Sequence, residues 1–351
     1  MPASDDIKFM QRCLDLAGKA EGNTYPNPVV GSVIVHNGSV IGEGYHLKAG
    51  GPHAERNAID SAGNAELLKS STIYVNLEPC SHFGKTPPCS GLIISAGIRR
   101  VVIGTRDTSE KVSGKGISDL INAGCEVVTG VLEKECRWIN RRFFTYHEKK
   151  RPYIVLKWAQ SEDGFLDIDR DRNPCHGPLW ITGKPERVLV HRWRAIEQSI
   201  LAGAGTIRAD NPMLNVREWS GRSPVILILS SSGILDRSSA VFRSGGNPVL
   251  FTHSAEAETG DTVKVVLDRS RSSARQVSDY LFNSGIQSVL IEGGAKVLSH
   301  FISEGCWDEA RIFRGRQHFK NGTLAPVVKG KVFSHTEFSF SSLEIILNDG
   351  S

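Results

Sequence analysis

Apolar and polar positions along this chain repeat with two different periods, and the changes of period mark out its elements. Ile7, Met10, Leu14 and Ala17 fall at helical spacing, so Asp5 to Ala20 forms an amphipathic helix that Gly22-Asn23 stops. Tyr25-Pro26-Asn27-Pro28 is a rigid loop into a strand over Val29–His36. Asn37-Gly38 is a two-residue hairpin signal, and Ser39–His46 returns beside that strand. Gly50-Gly51-Pro52 breaks the chain, and a helix starts near His53 and runs through Ile59. Strands and helices then alternate. Strands are predicted at Thr72–Leu77, Arg100–Gly104 and Cys125–Thr129. Helices are predicted at Cys89–Ala96 with Gly97 as its cap, at Gly116–Ala123 and at Val131–Phe143. This order predicts an α/β sandwich whose second half is largely parallel.

A charged break, His147-Glu148-Lys149-Lys150-Arg151-Pro152, marks a domain boundary, giving domains 1–148 and 149–351. The second domain opens with a strand at Tyr153–Ala159. Thr182 is a fair N-cap for a helix that turns Leu189, Trp193 and Ile196 inward. Further strands are predicted at Ser199–Ala202, Val225–Ser230, Pro248–Thr252, Val263–Leu267, Ser288–Ile291 and Glu309–Phe313. Glu292-Gly293-Gly294 opens a helix that runs through Ile302 and closes at Gly305. After Lys331, the alternation of Phe338, Phe340, Leu343 and Ile345 predicts an edge strand. This half is also α/β.

Composition narrows the function class. The chain has 351 residues, enough for two domains of ordinary size, and 40% of them are hydrophobic. Its formal charge is +4, with 18 basic against 16 acidic residues in 1–150 and 24 against 22 beyond. Neither half is a basic module, which argues against nucleic acid as an obligate partner and leaves phosphorylated small molecules open. The start, Met1-Pro2-Ala3-Ser4-Asp5-Asp6, leads into no apolar stretch of signal-peptide type, and no apolar run approaches a membrane span. Seven cysteines, an odd number, fit a reducing cytoplasm better than a disulfide framework.

The candidate chemistry lies at Pro52-His53-Ala54-Glu55 and at Pro79-Cys80 through Pro88-Cys89. A zinc deaminase needs three protein ligands, a fourth position open for water, and a carboxylate that carries protons without binding the metal. His53, Cys80 and Cys89 supply the ligands, and Glu55 is the catalytic proton carrier. The general signature is H-x-E followed by P-C-x-x-C. Here eight residues separate the two cysteines, and Pro87-Pro88-Cys89 resembles the first turn of a helix that brings the chain back to the metal. Two rival readings stand beside this one. Cysteines are often small buried hydrophobes. A closed structural zinc would take His82 as its fourth ligand and leave Glu55 without a role.

In the second half, Ile291-Glu292-Gly293-Gly294-Ala295 is a strand, a glycine turn and a helix start, a pattern that lets backbone N–H groups approach a phosphate. Gly203-Ala204-Gly205 is a second glycine turn without the third glycine of a dinucleotide fingerprint. These features point to an anionic small-molecule site, with a dinucleotide as one candidate. Arg194, Arg208 and Arg217 are either phosphate clamps or solvated surface arginines.

Three stretches of the first half, Tyr25-Pro26-Asn27-Pro28-Val29-Val30-Gly31, His53-Ala54-Glu55 and Leu77 through Cys89 with its Gly84-Lys85-Thr86-Pro87-Pro88 loop, resemble the bifunctional riboflavin-biosynthesis deaminase–reductase family. Leu156-Lys157-Trp158-Ala159-Gln160-Ser161-Glu162-Asp163-Gly164, Thr206 through Pro212 and Glu292-Gly293-Gly294 extend the resemblance over nearly the whole chain. It implies a cytidine-deaminase-like α/β/α sandwich followed by an α/β domain similar to dihydrofolate reductase. It further implies hydrolytic deamination of 2,5-diamino-6-(5-phosphoribosylamino)pyrimidin-4(3H)-one with Zn2+. NADPH-dependent reduction of the ribosyl side chain would follow, giving 5-amino-6-(5-phosphoribitylamino)uracil. Matched by position, Asn27, His46, His82 and Lys85 are the deaminase substrate contacts. Ala159, Trp180, Thr206, Asp210, Ser231 and Gly294 are the NADPH contacts. Arg194, Leu214, Arg217 and Glu292 are the reductase substrate contacts, and Lys157 and Glu292 are catalytic candidates there. Pro178 and Ser230 depart from the family, which often has serine and usually aspartate at those positions. A cytoplasmic homo-oligomer is expected.

Two other functions remain open on the sequence. One is a zinc deaminase of a different nucleoside, nucleotide or tRNA base. The other makes the second half a non-catalytic scaffold domain.

Overall fold

A computed structural model describes residues 4–81, 87–109, 113–173, 177–243, 246–257 and 262–350. The chain divides into two compact units, Met1–Lys150 and Arg151–Ser351.

The first unit runs α1 (Ser4–Gly18), β1 (Gly31–His36), β2 (Ser39–Tyr45), α2 (Ala54–Ser61), α3 (Ala65–Leu68), β3 (Thr72–Leu77), α4 (Cys89–Ser95), β4 (Arg100–Thr105), α5 (Lys115–Asn122), β5 (Glu126–Thr129), α6 (Glu133–Ile139) and α7 (Arg141–Lys149). Its sheet has the order β2-β1-β3-β4-β5. The β1–β2 hairpin is antiparallel and β3–β4–β5 is parallel, as the sequence pattern predicts, and β1 also pairs antiparallel with β3. Asn37 and Gly38 both take the left-handed conformation (φ 47° and 77°) that a tight hairpin requires.

Alternating side chains of each strand build the two faces. Ile34, Ile73, Val75 and Ile103 join Ala58, Ile93 and Leu120 on one side. Val33, Tyr74 and Val102 join Met10, Leu14 and Cys136 on the other. The sandwich is therefore helix, sheet, helix. Helix α2 lies unusually close to β2, because a Cβ at Gly44 would collide with the backbone of Ala54 and Ala58. That approach sets the first turn of α2 over the sheet.

The predicted helix Val131–Phe143 is interrupted at Asn140, and the chain continues helical to Lys149, three residues into the predicted break. The Asn140 side chain has other partners. Its Oδ1 accepts from the Val29 N–H at 2.8 Å and its Nδ2 donates to the Val29 carbonyl at 3.0 Å. A buried asparagine that pairs with a strand entrance favours a break over a continuous helix.

The second unit runs β6 (Tyr153–Gln160), β7 (Phe165–Asp167), α8 (Lys184–Ile196), β8 (Ser199–Gly203), α9 (Ala204–Asp210), β9 (Val225–Leu229), β10 (Val249–Thr252), β11 (Val263–Val266), α10 (Ser273–Asn283), β12 (Ser288–Glu292), α11 (Ala295–Ser303), β13 (Glu309–Gly315), β14 (Thr323–Leu324), β15 (Lys331–Glu337) and β16 (Ser341–Leu347). Its large sheet has the order β11-β10-β9-β8-β12-β6-β13-β16-β15. Pairing is parallel from β11 to β13, and the last two pairs are antiparallel. Leu156, Leu201, Leu227 and Ile291 pack under Val277, Leu281, Leu298 and Phe301 on one face. Tyr153, Val155, Leu290 and Phe313 pack with Val190 and Trp193 of α8 on the other.

Three expectations need correction in this unit. Helix α8 is capped by Gly183, not Thr182, with a proline in its first turn. The Gly203-Ala204-Gly205 stretch is not a free turn but the start of α9. The alternating segment at the end is β16, which lies between β13 and β15, so the edge strand is β15. Helix α10 lacked a sequence expectation.

Candidate metal centre and nucleotide cavity

The first site is built at helix starts. His53 is the N-cap of α2, in extended backbone, and its carbonyl accepts from the Asn57 N–H at 3.1 Å. Cys89 is the first residue of α4, after Pro88 as N-cap. Pro88 therefore precedes the helix and does not lie inside its first turn. Cys80 follows the end of β3, and its carbonyl accepts from the Ser90 N–H at 3.1 Å. Together these place His53 Nδ1 3.3 Å from Cys89 Sγ and 3.6 Å from Cys80 Sγ. All three donor atoms lie within 4.8 Å of one another. A tetrahedral zinc with ordinary Zn–S and Zn–N bonds needs ligand atoms about 3.6 Å apart. The donor set and its spacing fit that ion, and among the described residues the cluster has three members.

The Cys80 thiol is pulled below its usual range by hydrogen bonding from the Cys89 thiol and from His53, and the Cys89 N–H also donates to its sulfur at 3.4 Å. Glu55 is in the first turn of α2 and only 3% exposed. Burial raises its pKa. His46 is also buried, and its ring lies 5.3 Å from that of His53, edge to face. Its Nδ1 lies 3.0 Å from the Pro52 carbonyl and can only donate there. Its Nε2, 3.1 Å from the Asn27 amide nitrogen, is then the acceptor. Desolvation lowers the His46 pKa, which suits that neutral tautomer. The structure thus brings Asn27 and His46 to the metal ligands. The expected contacts His82 and Lys85 lie outside the described residues.

Sequence reasoning missed Glu78. Its buried carboxylate accepts from the backbone N–H groups of Asp107 (3.2 Å), Gly114 (3.1 Å), Gly116 (3.1 Å) and Ile117 (3.2 Å). It ties the turn that carries Cys80 to the β4–α5 loop and to the first turn of α5. The signal was a carboxylate directly after an apolar strand and two residues before a metal-type cysteine.

The second site is a cavity of about 1130 Å³. The expected cofactor contacts Ala159, Trp180, Thr206, Asp210, Ser231 and Gly294 all line it. So do Lys157, Arg194, Leu214, Arg217 and Glu292, and the departures Pro178 and Ser230. Its electrostatic centre is Glu292 at the carboxyl end of β12. Arg194 grips that carboxylate with Nε and Nη2 at 2.7 and 2.8 Å. Parallel pairing places Lys157 beside Glu292, with Nζ 3.8 Å from Oε2. Burial opposes ionisation of Glu292, but Arg194 and Lys157 outweigh it and hold the pKa at about 2. Burial lowers the Lys157 pKa, and Glu292 opposes that shift.

Gly293 and Gly294 follow with φ of 104° and 77°, which aims the chain into α11. A Cβ at either glycine would stand 3.1 Å from the Thr206 side chain, so α9 and this turn meet without spare room. Arg170 had no sequence signal. It joins Asp167 Oδ2 at 2.5 Å, Asp210 Oδ1 at 2.8 Å and the Ala209 carbonyl at 3.1 Å, fixing the wall around Asp210.

Comparison with known proteins agrees with this division of labour. Residues 3–105 match the family described as cytidine and deoxycytidylate deaminase zinc-binding region, and residues 152–315 match the RibD C-terminal domain. The riboflavin biosynthesis protein RibD of Aquifex aeolicus is 38% identical over 344 residues, spanning 97% of this chain and 92% of that protein. RibD of Bacillus amyloliquefaciens is 38% identical, spanning 93% and 88%. A solved structure from Thermotoga maritima, described as a diaminohydroxyphosphoribosylaminopyrimidine deaminase/5-amino-6-(5-phosphoribosylamino)uracil reductase, superposes with a TM-score of 0.89. It is 39% identical and covers 98% of this chain and 99% of that one. Both units are of the expected α/β kinds, a cytidine-deaminase-like unit and a reductase unit. With a zinc-type triad in one unit and the glycine-turn cavity in the other, this chain belongs to the RibD family of bifunctional riboflavin-biosynthesis enzymes, a zinc deaminase joined to an NADPH-dependent reductase.

Proposed function

We propose that residues 1–148 deaminate 2,5-diamino-6-(5-phosphoribosylamino)pyrimidin-4(3H)-one and that residues 149–351 then reduce its ribosyl side chain, giving 5-amino-6-(5-phosphoribitylamino)uracil. The observation that carries the first step is the His53–Cys80–Cys89 triad with buried Glu55 beside it.

His53, Cys80 and Cys89 hold zinc. When bound, zinc makes a water nucleophilic at neutral pH. Glu55 accepts a proton from the attacking water and delivers it to the ring nitrogen, then takes the proton of the newly added hydroxyl and delivers it to the leaving amino group, so water enters and ammonia leaves. Its enclosure suits this work, because burial raises the carboxyl's pKa and so eases its taking up a proton. The Asn27 amide, oriented by His46, reads the pyrimidine beside the His46 ring, while His82 and Lys85 complete the contacts, with the lysine on the phosphate.

In the reductase, Gly294 and Thr206 shape the turn that receives the cofactor's phosphates, with Ala159, Trp180, Asp210 and Ser231 along the rest of the cofactor. NADPH supplies the hydride when bound. Arg194, Leu214 and Arg217 hold the substrate. Glu292 orients Lys157, whose ammonium positions the reacting ribose and donates the proton that balances the hydride. The cavity lined by all of these residues favours this reading over a scaffold domain.

A cytoplasmic location is supported by the six cysteines among the described residues, all of them free. A homo-oligomer is supported by the half-exposed Val332 and Phe333 on edge strand β15. Among the described residues no helix is long and apolar enough to cross a membrane.

The deciding experiment supplies the diaminopyrimidine ribosyl phosphate to zinc-replete protein and follows ammonia release and NADPH absorbance together. Ammonia release in either case, with NADPH oxidation whenever NADPH is present, is the expected result. Ammonia from deoxycytidylate or cytidine but not from this substrate would overturn the substrate assignment. Ammonia without NADPH oxidation would overturn the assignment of the second unit.

A further inference from the structure

Helix α8 turns one face towards the stretch that carries Leu214 and Arg217. Arg187, His191 and Arg194 are spaced four and three residues apart, which lines them up along that face. Arg194 Nη1 donates to the Asn215 carbonyl at 3.1 Å. His191 Nδ1 accepts from the Arg217 N–H at 3.2 Å. Arg187 Nε and His191 Nε2 each lie 3.9 Å from a Glu218 carboxylate oxygen. Ser223 Oγ accepts from the Val216 N–H at 3.1 Å. The Asn215 carbonyl and the N–H groups of Val216 and Arg217 are thus held by side chains, not by a helix or a strand.

This stretch needs holding. Leu214 is buried with φ 54°, a left-handed backbone that a leucine keeps only where its surroundings over-determine it. Arg217 lines the cavity with an exposed side chain, and its Nη1 donates to Asn215 Oδ1 at 3.2 Å. Where its guanidinium can reach is set by where its backbone is fixed.

His191 is the titratable group of this face that the reaction leaves unused. It is 3% exposed and does not line the cavity, so it stands behind the wall that meets the ligands. Burial first, then the Arg194 and Arg217 cations, hold its pKa at about 4 against the pull of Glu218 and Glu292. The ring is therefore neutral near pH 7, with Nδ1 as acceptor and its hydrogen on Nε2, turned towards Glu218. An imidazolium would face the Arg217 N–H with a second N–H and lose the bond.

We propose that His191 is a positioning residue of the reductase: its Nδ1 fixes the Arg217 backbone and so delivers the Arg217 guanidinium to the substrate. This rests on the reading of the second unit as the reductase and of Arg217 as its substrate contact. It adds to that reading a residue that acts through Arg217 and touches neither substrate nor cofactor.

Steady-state kinetics of the full chain with the deaminated intermediate and NADPH test it. His191→Leu removes the acceptor. It should raise KM for the intermediate about tenfold, the usual consequence of leaving one N–H unbonded, and keep kcat within about threefold. NADPH affinity and ammonia release by the first unit should stay at wild-type values. His191→Asn puts an amide oxygen near the Nδ1 position and should bring KM back to within about threefold of wild type. His191→Gln puts its amide oxygen near the Nε2 position and should stay impaired, so this pair decides the matter if His191→Leu misfolds. In an Arg217→Ala background, His191→Leu should change KM by less than about twofold, because the guanidinium it would have placed is gone. A purely structural histidine would cost the same factor in both backgrounds. Unchanged KM in His191→Leu, equal KM in the asparagine and glutamine variants, or an equal loss with and without Arg217 would overturn the proposal. Wild-type protein that does not oxidise NADPH with the deaminated intermediate would instead overturn the reductase reading, and the proposal with it.

Discussion

The two sites of this chain are held together in opposite ways. The metal centre is compact and depends on residue type. Its three donors come from 37 residues of chain, His53 to Cys89, and two of them sit at helix starts. The nucleotide cavity draws on residues from Lys157 to Thr323, and its shape comes largely from backbone: a glycine turn, strand ends and the walls of α8, α9 and α11. Zinc requires thiolate or imidazole at fixed distances, so the chemistry appears in the letters. A dinucleotide requires room, N–H groups and a few charges, which many sequences supply. The charged groups differ too. Burial raises the pKa of Glu55, whereas Arg194 and Lys157 hold Glu292 in its ionised form.

That contrast is broken most severely by Glu55→Gln. The side chain keeps its size and loses its proton, so zinc content by elemental analysis should match wild type. Deamination should fall by about 10³-fold or more, the upper range for a general acid–base group. Reduction of the deaminated intermediate should be unchanged. A zinc-replete Glu55→Gln enzyme with wild-type ammonia release would remove Glu55 from the mechanism.

Glu292→Ala acts in the second unit through a different cause. It strands the Arg194 guanidinium, which is buried, at a cost of about 3–5 kcal/mol for a broken buried pair. It also frees Lys157. Reduction and the stability of the second unit should fall together while deamination persists. The same pair predicts an acid limit. The Glu292 pKa drops from 4.5 to about 2 on folding, so its contribution is complete above about pH 4.5 and is lost as pH falls towards 2. Tryptophan fluorescence can follow this, because five of the six tryptophans lie in residues 151–351. Glu292→Gln should flatten the fluorescence change between those pH values. An identical acid transition in the variant would mean that the pair does not set it.

Legibility followed the same divide. The hairpin at Asn37-Gly38, the strand Thr72–Leu77 and the cluster of His53, Cys80 and Cys89 were readable from local pattern, because turn chemistry and metal spacing are local requirements. The break at Asn140 was not, because its cause is a pairing with Val29 more than a hundred residues away. Glu78 was hidden for a similar reason: its partners are backbone groups of Asp107, Gly114, Gly116 and Ile117, which carry no letter. In the second unit the glycine turn could be read bottom-up, whereas Arg194, Leu214 and Arg217 acquired roles only through family resemblance. Arg170 had no signal at all, since its partners Asp167, Ala209 and Asp210 are brought together only by the fold.

The smallest expected effect sharpens the claim that backbone carries the second site. Gly294 has φ 77° and is the N-cap of α11, and a Cβ there would stand 3.1 Å from Thr206 Oγ1. Alanine at this position enters the left-handed region at a cost of about 1–2 kcal/mol and must also push Thr206 aside. No charge is altered and no hydrogen-bonding side chain is lost. NADPH affinity, read by quenching of protein fluorescence, should nevertheless weaken several-fold, while the zinc content and deamination of the first unit stay at wild-type values. Thr206→Ser in the same background removes the methyl group and keeps the hydroxyl that the new Cβ would meet, so it should not restore binding. Thr206→Ala removes both and should recover part of the loss. Unaltered NADPH affinity in Gly294→Ala would show that the turn has room to spare, and the division between a site made of letters and a site made of backbone would not hold at its closest point.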